Sequence, residues 1–201
     1  RVIRRPRVSI ISIGDEVVKP GRSLNAGQLY ASNMVTMEAW LFRCGITAAT
    51  SIVPDDRESI MAETGRALPC SDIILTSGGA WGSERDLSIK VMDELGWDMK
   101  FHYLRMGPGK GVAFGLLQEV PVFCLPGGPS SNNMAFLQLA LPAILRMAGE
   151  QSHPLSTAEA LLTGDVRGRH IAWTEFKDAV VTRTTDGGYS VSLYKNSSRL
   201  Q

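Results

Sequence analysis

Apolar and polar positions divide the chain into two kinds of segment. Residues 8–13 (VSIISI) and 72–76 (DIILT) are short apolar runs, which are typical of buried parallel strands. Residues 31–45 instead repeat apolar side chains at helical spacing. The same criteria predict further strands over 46–53, 99–106, 111–117 and 120–125, and further helices over 54–68, 86–95 and about 130–147.

This alternation of strands and helices predicts an α/β protein. We expect a three-layer α/β/α sandwich around a mostly parallel sheet, formed by residues 1–150. The strands over 111–117 and 120–125 are close enough along the chain to form a hairpin. Pro142 indicates a kink or break in the last helix, because proline lacks the amide hydrogen that a helix needs.

The pattern changes after Gly149, and residues 151–201 are predicted to begin a small β domain. A linker-like stretch, HPLST, is followed by alternating segments over 159–165, 171–182 and 188–194. The DGG sequence at 186–188 is typical of a hairpin turn. The chain starts without Met, so we expect it to be part of a longer polypeptide.

Charge and hydropathy exclude some classes of partner. The 21 basic and 20 acidic residues nearly cancel, so no global field favours nucleic acid or a membrane surface. No apolar run approaches the roughly 20 residues of a membrane span. The one basic cluster is at the start, and a solvated lead-in or inter-domain junction is favoured there over a nucleic-acid arm; it comprises Arg1, Arg4, Arg5 and Arg7.

The cysteines and histidines do not form a recognisable metal or disulfide pattern. Cys44, Cys70 and Cys124 are odd in number and widely spaced, so we expect small buried thiols in a reducing cytosol. The histidines share no metal-ligand spacing and are expected to be structural.

Glycines, carboxylates and hydroxyls follow the predicted strands. In open α/β sheets, ligands bind beyond the carboxyl ends of the strands. The segments at those ends are GDE (14–16), PDD (54–56), TSGG (76–79), GPGKG (107–111) and LPGGPSSN (125–132). Their convergence on one edge of the sheet predicts a binding site.

Each of these segments also has a purely structural interpretation. Asp55 or Asp56 could cap a helix, and Gly78 with Gly79 could serve only a tight turn. The LPGGPSSN segment is either a turn with Ser130 or Ser131 as helix cap, or an anion site at the start of a helix. Taken singly, the structural interpretations are favoured; their joint occurrence at one edge favours a site.

The expected ligand is an anion that arrives with a divalent cation. Glycine-rich amides favour an anion, whereas Glu16, Asp55 and Asp86 would repel one unless a cation lay between them. Hard oxygen ligands of this kind suit Mg²⁺. The usual G-x-G-x-x-G, P-loop and G-x-S-x-G motifs are missing, so the common nucleotide and hydrolase classes are disfavoured.

The order of these motifs resembles a known family. GDEVVKPG…GQLYASN, IVPDD, TSGG…D, FHYLRMGPGKGVAFG and VFCLPGGPSSN are similar to segments of the molybdopterin molybdotransferase family, the MoeA and gephyrin E-domain group with its MogA-like molybdopterin-binding domain. The resemblance covers residues 8 to about 148, and WTEF resembles the start of the group's C-terminal β domain. It implies a cytoplasmic homodimer that binds adenylylated molybdopterin and inserts molybdenum from molybdate with Mg²⁺.

The resemblance also implies roles for individual residues. Glu16, Asp55 and Asp86 fall on the acidic active-site positions, as catalytic groups and metal ligands, and Lys110 falls on a catalytic lysine. The residues implied to contact the pterin phosphate, including Arg105 as a substitute cation, are Asp15, Ser77, Gly78, Gly79, Ser83, Arg105, Gly127, Gly128, Ser130 and Ser131.

The chain departs from the family pattern at several basic positions. Gly107 stands where the family has the first lysine of K-P-G-K, and Tyr103 where it usually has Lys or Arg. If residues 103, 105 and 107 share one face of a strand, Arg105 supplies the missing charge. Residues 81–86 are closer to the related adenylyltransferase (MogA) branch. The functional hypotheses are therefore a molybdotransferase, a pterin-binding module without turnover, and a generic nucleotide-binding domain.

Overall fold

The computed structural model describes residues 3–78, 87–150, 155–168 and 171–194. The helices are α1 Ser32–Arg43, α2 Arg57–Ala67, α3 Leu87–Glu94, α4 Pro129–Ala135 and α5 Leu141–Met147. The strands are β1 Val8–Ile13, β2 Val17–Val18, β3 Leu29–Tyr30, β4 Ala48–Val53, β5 Ile73–Ser77, β6 Asp98–His102, β7 Met106–Gly107, β8 Ala113–Leu117, β9 Val120–Leu125, β10 Leu161–Leu162, β11 Thr174–Glu175, β12 Ala179–Arg183 and β13 Tyr189–Leu193.

A six-stranded sheet forms the centre of the fold, in the order β4-β1-β5-β9-β8-β6. The pairs β1–β4, β1–β5 and β5–β9 are parallel, whereas β8 is antiparallel to both of its neighbours. The β8–β9 pair is the predicted hairpin, and Gln118 and Glu119 have positive φ at its turn. The mostly parallel sheet is confirmed.

Helices cover both faces of this sheet, which confirms the three-layer sandwich. On one face, α1 buries Met34, Met37 and Leu41 in a core that also contains side chains of α4 and α5. On the other face, α2 and α3 bury Ile60 and Met92 against β1, β5 and β9. Strand β1 alternates between the two cores and is buried at every position, as expected for a strand covered on both sides.

The last helical segment is distorted where the sequence predicted a kink. Residues 129–147 are helical throughout, but Phe136–Ala140 form a π-helical segment between α4 and α5. Pro142 follows directly. Proline cannot donate a hydrogen bond to the preceding turn, and its ring crowds the carbonyl four residues back. The wider π-helical turn makes room for the proline, so the helix continues.

Parallel pairing brings the carboxyl ends of the central strands to one edge. Ile13 at the end of β1 pairs with Val53 at the end of β4, and Ser77 of β5 pairs with Leu125 of β9. The described chain continues from β1 to α1 on one face, whereas α3, the next described element after β5, lies on the other. The β1–β5 junction is therefore the switch point at which such sheets bind ligands.

The C-terminal region contains the predicted strands, and one of them pairs with a strand of the first unit. Strands β12 and β13 form an antiparallel hairpin around the DGG turn, and β10 pairs with β13. Strand β11 instead pairs with β7, with Thr174 N donating to the Arg105 carbonyl and Phe176 N to that of Gly107. Residues 174–176 therefore pair with a strand of the predicted first domain. The domain boundary at residue 150 stays a prediction.

The basic start of the chain is tied to the domain. Arg4 and Arg7 form ion pairs with Asp72 at 2.7 and 3.0 Å, and their hydrogen bonds hold the pKa of Asp72 well below its ordinary value. Arg5 donates to the Cys44 carbonyl. These contacts favour the junction interpretation over a nucleic-acid arm.

The expectation for the cysteines was partly wrong. All three are free, but only Cys124 is buried; Cys44 is half-buried and Cys70 is exposed. Cys70 lies in a one-turn 3₁₀ helix after α2, where the chain turns at the surface before β5. Among the described residues, no helix is long and apolar enough to cross a membrane.

Gly78 permits the close approach of β5 to β1 at the ligand edge. Its φ is +111°, and a Cβ atom at this position would lie 2.2 Å from the main-chain oxygen of Ile13. A contact of that length cannot be relieved by side-chain rotation, because the opposing atom is backbone. The β1 and β5 ends can therefore meet only if residue 78 is glycine.

We predict that Gly78→Ala destabilises the protein by more than a positive φ alone explains. Backbone strain costs roughly 1–3 kcal/mol, and the clash with Ile13 adds to it. The matched control is Gly27→Ala, because Gly27 has φ +82° but a Cβ atom there would meet nothing within 4 Å. Urea unfolding measures both variants; equal losses would contradict the role of the close approach.

Candidate functional site

Three carboxylates meet where β1 and β4 end. The Asp55 amide donates to Oδ1 of Asp15 at 3.1 Å, which links the two strand ends. Glu16 folds back over Gly14, since a Cβ atom there would lie 2.8 Å from Glu16 Oε2. Burial, together with the charges of Asp15, Glu16 and Asp56, raises the pKa of Asp55 above its ordinary value. Asp55 therefore bears an unfavourable charge at neutral pH.

Asp56, and not Asp55, caps α2. Its Oδ1 accepts from the Ser59 amide at 2.8 Å and its Oδ2 from the Ser59 hydroxyl at 2.7 Å. These bonds lower the pKa of Asp56. The sequence left open whether Asp55 or Asp56 caps the helix. Asp56 forms the cap, and Asp55 does not contribute to it.

The carboxylates of Asp15, Glu16 and Asp55 have the chemistry of a hard-cation site. All three are exposed oxygen donors whose mutual repulsion a divalent cation would relieve. Among the residues that the structure describes, no group of three or more His, Cys, Asp or Glu side chains is placed so that it could hold a metal ion. Asp86, the third predicted ligand, lies outside the described residues, so the Mg²⁺ assignment stays a prediction.

Ser77 is the centre of a hydrogen-bond network at the end of β5. Its Oγ lies 3.1 Å from Nδ2 of Asn33 on α1 and 3.0 Å from Nδ2 of Asn132 on α4. Asn33 also donates to the Gly127 carbonyl at 2.8 Å, and Asn132 to the Pro126 carbonyl at 2.9 Å. This network ties together the end of β5, the turn after β9 and two helices.

The turn after β9 is a glycine-proline helix start without a side-chain cap. Gly128 is the N-cap of α4 and Pro129 is its first residue, where the missing amide hydrogen costs nothing. The alternative in which Ser130 or Ser131 caps the helix was therefore wrong. Gly127 and Ser130 are exposed and Gly128 and Ser131 are half-buried, and a Cβ atom on Gly127 would lie 3.5 Å from Gly78 Cα.

Lys110 lies near two aromatic rings, in the loop between β7 and β8. Its Nζ is 6.0 Å from the Tyr103 ring centroid and 5.7 Å from that of Trp173, within the range of cation–π attraction. Gly109 packs on α4, because a Cβ atom there would lie 3.4 Å from both the Ser131 oxygen and the Ala135 nitrogen. The loop carrying Lys110 is thus held from two sides.

The predicted strand over 99–106 is shorter than expected, which removes the argument for Arg105. Strand β6 ends at His102, and Tyr103 has φ +67°, a left-handed conformation that no strand contains. Strand alternation therefore does not place residues 103, 105 and 107 on one face. Arg105 is exposed, and its role as a substitute cation stays a prediction.

The structure brings together most of the described residues that the sequence singled out. Ser77, Gly78 and the glycine turn meet at the β5–β9 ends, and the acidic group lies at the neighbouring β1–β4 ends. Gly79, Ser83 and Asp86 lie outside the described residues. The sequence analysis missed Asn33, Asn132 and Trp173, although all three lie within the segments ASN, SSN and WTEF quoted there.

The fold and this edge define an α/β domain with an acidic, glycine-rich binding edge, and comparison with known families gives its membership. A family model described as a probable molybdopterin binding domain matches residues 9–146. The match covers more than half of the chain, and the chain therefore belongs to that family.

Individual relatives agree with this membership. The chain is 31% identical over 150 residues to a molybdopterin molybdenumtransferase from Haemophilus influenzae, covering 74% of this chain and 37% of that protein. A solved molybdopterin biosynthesis MoeA structure from Pyrococcus is 35% identical, with a TM-score of 0.67 over 74% of this chain and 37% of that one.

A second Pyrococcus MoeA structure extends the similarity of fold to the C-terminal region. It has a TM-score of 0.72 and covers 95% of this chain and 44% of its own, at 21% sequence identity. The chain thus spans less than half of the length of these relatives.

We predict opposite effects on stability for Asp55 and Asp56. The pKa of Asp55 is raised by folding, so Asp55→Asn should stabilise the protein at pH 7, and the gain should vanish as the pH falls below the ordinary aspartate pKa. The pKa of Asp56 is lowered, so Asp56→Ala should destabilise at pH 7 and lose that effect as the pH falls through the folded-state pKa. Thermal unfolding between pH 3 and pH 7 tests both; matching profiles would contradict the assignment.

We predict that Trp173→Ala releases Lys110. The Lys110 side-chain NMR signals, recorded after ¹³C-methylation of the lysines, should lose the part of the ring-current shift that Trp173 produces, while the part from Tyr103 remains. Trp173→Phe is the matched control, since it keeps a ring at the same position. Unchanged Lys110 signals in Trp173→Ala would show that the contact does not persist in solution.

Proposed function

We propose that this chain acts in molybdenum cofactor biosynthesis by binding the phosphate end of molybdopterin, in its adenylylated form, beyond β1, β5 and β9. Membership of the molybdopterin-binding family supports the class of ligand. The observation that carries the proposal is the junction of β1, β5 and β9, where glycine backbone and the Ser77 hydroxyl lie beside three carboxylates.

The described residues divide into two chemical groups. Ser77 offers a hydroxyl donor to an anionic ligand, and the exposed Gly127 turn lies beside it. Asp55 and Glu16, with Asp15 behind them, would hold Mg²⁺, which supplies charge neutralisation between the phosphate and an oxoanion such as molybdate. Lys110 provides a positive charge whose position the rings of Tyr103 and Trp173 restrict.

Transfer of molybdenum from molybdate is the first candidate activity. Such a reaction depends on positioning and electrostatics, so the enzyme must stabilise the charge of the oxoanion as it reacts. The raised pKa of Asp55 supports a functional role, because carboxylates that destabilise the fold are common at active sites. The complete polypeptide, working as a cytoplasmic homodimer, is part of this proposal.

A binding module without turnover is the second candidate, and residue 107 favours it. The family lysine is replaced by Gly107 and the neighbouring family cation by Tyr103. Space for a side chain at residue 107 nevertheless remains, since a Cβ atom there would meet only the Trp173 ring, at 4.0 Å. The lost cation can therefore be restored without a clash with the backbone.

We predict that Gly107→Lys in the complete polypeptide tightens molybdopterin binding roughly tenfold, because it adds one cation beside a phosphate. Gly107→Met is the matched control, with similar length and no charge. Binding is measured by calorimetry with and without Mg²⁺, and turnover by molybdate-dependent release of AMP from adenylylated molybdopterin.

The two candidates give different results in this experiment. AMP release by the unmodified protein supports the transferase. Binding without release, with release gained in Gly107→Lys, supports a module that has lost turnover. If neither protein binds molybdopterin with Mg²⁺ present, the proposed function is wrong.

A further inference from the structure

The hydrogen bonds around Ser77 determine which way its hydroxyl proton can point. Asn33 Nδ2 contacts the Gly127 carbonyl at 2.8 Å, and Asn132 Nδ2 contacts the Pro126 carbonyl at 2.9 Å. A carbonyl oxygen only accepts hydrogen bonds, so each amide must present its NH₂ group, not its oxygen, at this position. The orientation of both asparagines is thereby fixed.

The same NH₂ groups face Ser77, so its oxygen accepts from both and its hydrogen must point elsewhere. Each amide nitrogen donates its second hydrogen to Ser77 Oγ, at 3.1 Å from Asn33 and 3.0 Å from Asn132. A hydroxyl oxygen has two lone pairs, and both are now occupied. The remaining capacity of Ser77 is its O–H donor, and within the described part of the chain no group accepts it.

Burial keeps the Ser77 hydroxyl in this hydrogen-bonding arrangement. Ser77 is 5% exposed and Asn132 is 1% exposed, so water competes weakly for their hydrogen bonds. Asn33 and Asn132 come from different helices on the same face of the sheet, which restrains the hydroxyl from two directions. Two donors to one oxygen also polarise its O–H bond, which strengthens the bond that the proton can make.

We infer that Asn33 and Asn132 are positioning residues that make Ser77 an obligatory hydrogen-bond donor, so that the site at the end of β5 selects a ligand atom that accepts a hydrogen bond, such as a phosphate oxygen. This inference rests on the proposed function for the location of the ligand and specifies its chemistry there. A phosphate or another oxyanion satisfies the donor. An ammonium or amide NH₂ group, which only donates, leaves the Ser77 proton unpaired, at a cost.

Reversing the polarity tests the inference. In the complete polypeptide, Asn132→Asp replaces a donor by a carboxylate that accepts the Ser77 proton, so the hydroxyl can no longer serve the ligand. We expect a roughly tenfold to hundredfold loss of affinity for molybdopterin and for inorganic phosphate, the size expected for one hydrogen bond to a charged group. Ser77→Ala should lower both affinities by a similar factor.

Two controls separate this effect from added charge and from misfolding. Asn133→Asp adds the same charge one residue further along α4 without a hydrogen bond to Ser77, so it measures the repulsion by that charge. Because Asn133 Oδ1 is buried, thermal unfolding of this variant is measured as well, to confirm that it folds. Asn33→Asp tests the second donor independently if Asn132→Asp fails to fold, as judged by thermal unfolding. In both Asp variants, affinity relative to the unmodified protein should recover at acid pH, where a protonated carboxyl regains a donor.

The double variant Ser77→Ala/Asn132→Asp gives the decisive comparison. If Asn132 acts through the Ser77 hydroxyl, adding Asn132→Asp to Ser77→Ala should lower the affinity for phosphate no more than adding Asn133→Asp to Ser77→Ala does. Full additivity, or unchanged phosphate affinity in Ser77→Ala, overturns the inference. Phosphate binding with no molybdopterin binding would refute the proposed function alone, and failure of the unmodified protein to bind either probe would refute both.

Discussion

The site depends on one close contact between main chains, the approach of Gly78 to the Ile13 carbonyl. A Cβ atom at residue 78 would lie 2.2 Å from that oxygen, so the ends of β1 and β5 meet only because the atom is absent. Gly127 joins the same junction from β9. Because no side chain separates these strand ends, they come together at the switch point of the sheet, where the described chain continues to opposite faces.

Around this junction the protein keeps a charged residue that destabilises the fold. Asp56 satisfies the start of α2, while its neighbour Asp55 is held near other carboxylates in a position whose partial desolvation raises its pKa. The cap of α2 is complete without this acid. Functional sites characteristically keep such unfavourable groups, because a ligand or cation relieves the repulsion when it binds. The asparagine network supplies the opposing stabilisation, since it links β5, the turn after β9 and two helices through Ser77.

The sequence could predict the edge but not the contacts within it. Hydrophobic runs locate strand ends, and parallel pairing then brings the following residues together, which is why Asp55, Ser77 and the glycine turn were found. The network of Ser77 was missed because its partners lie 44 and 55 residues away along the chain. The apolar run over 99–106 was extended too far, because the left-handed Tyr103 is set by tertiary contacts that local pattern does not encode.

The C-terminal region contacts the loop that carries Lys110. Strand β11 pairs with β7, Trp173 directly before it lies close to the lysine, and Gly109 packs on α4. In the proposed transferase, glycine at residue 107 removes one family lysine, so the placement of Lys110 would matter more. Affinity for an anion would then come from Ser77, whereas stabilisation of a transition state, which needs charge at a defined point, would rest on Lys110 and on its contact with Trp173.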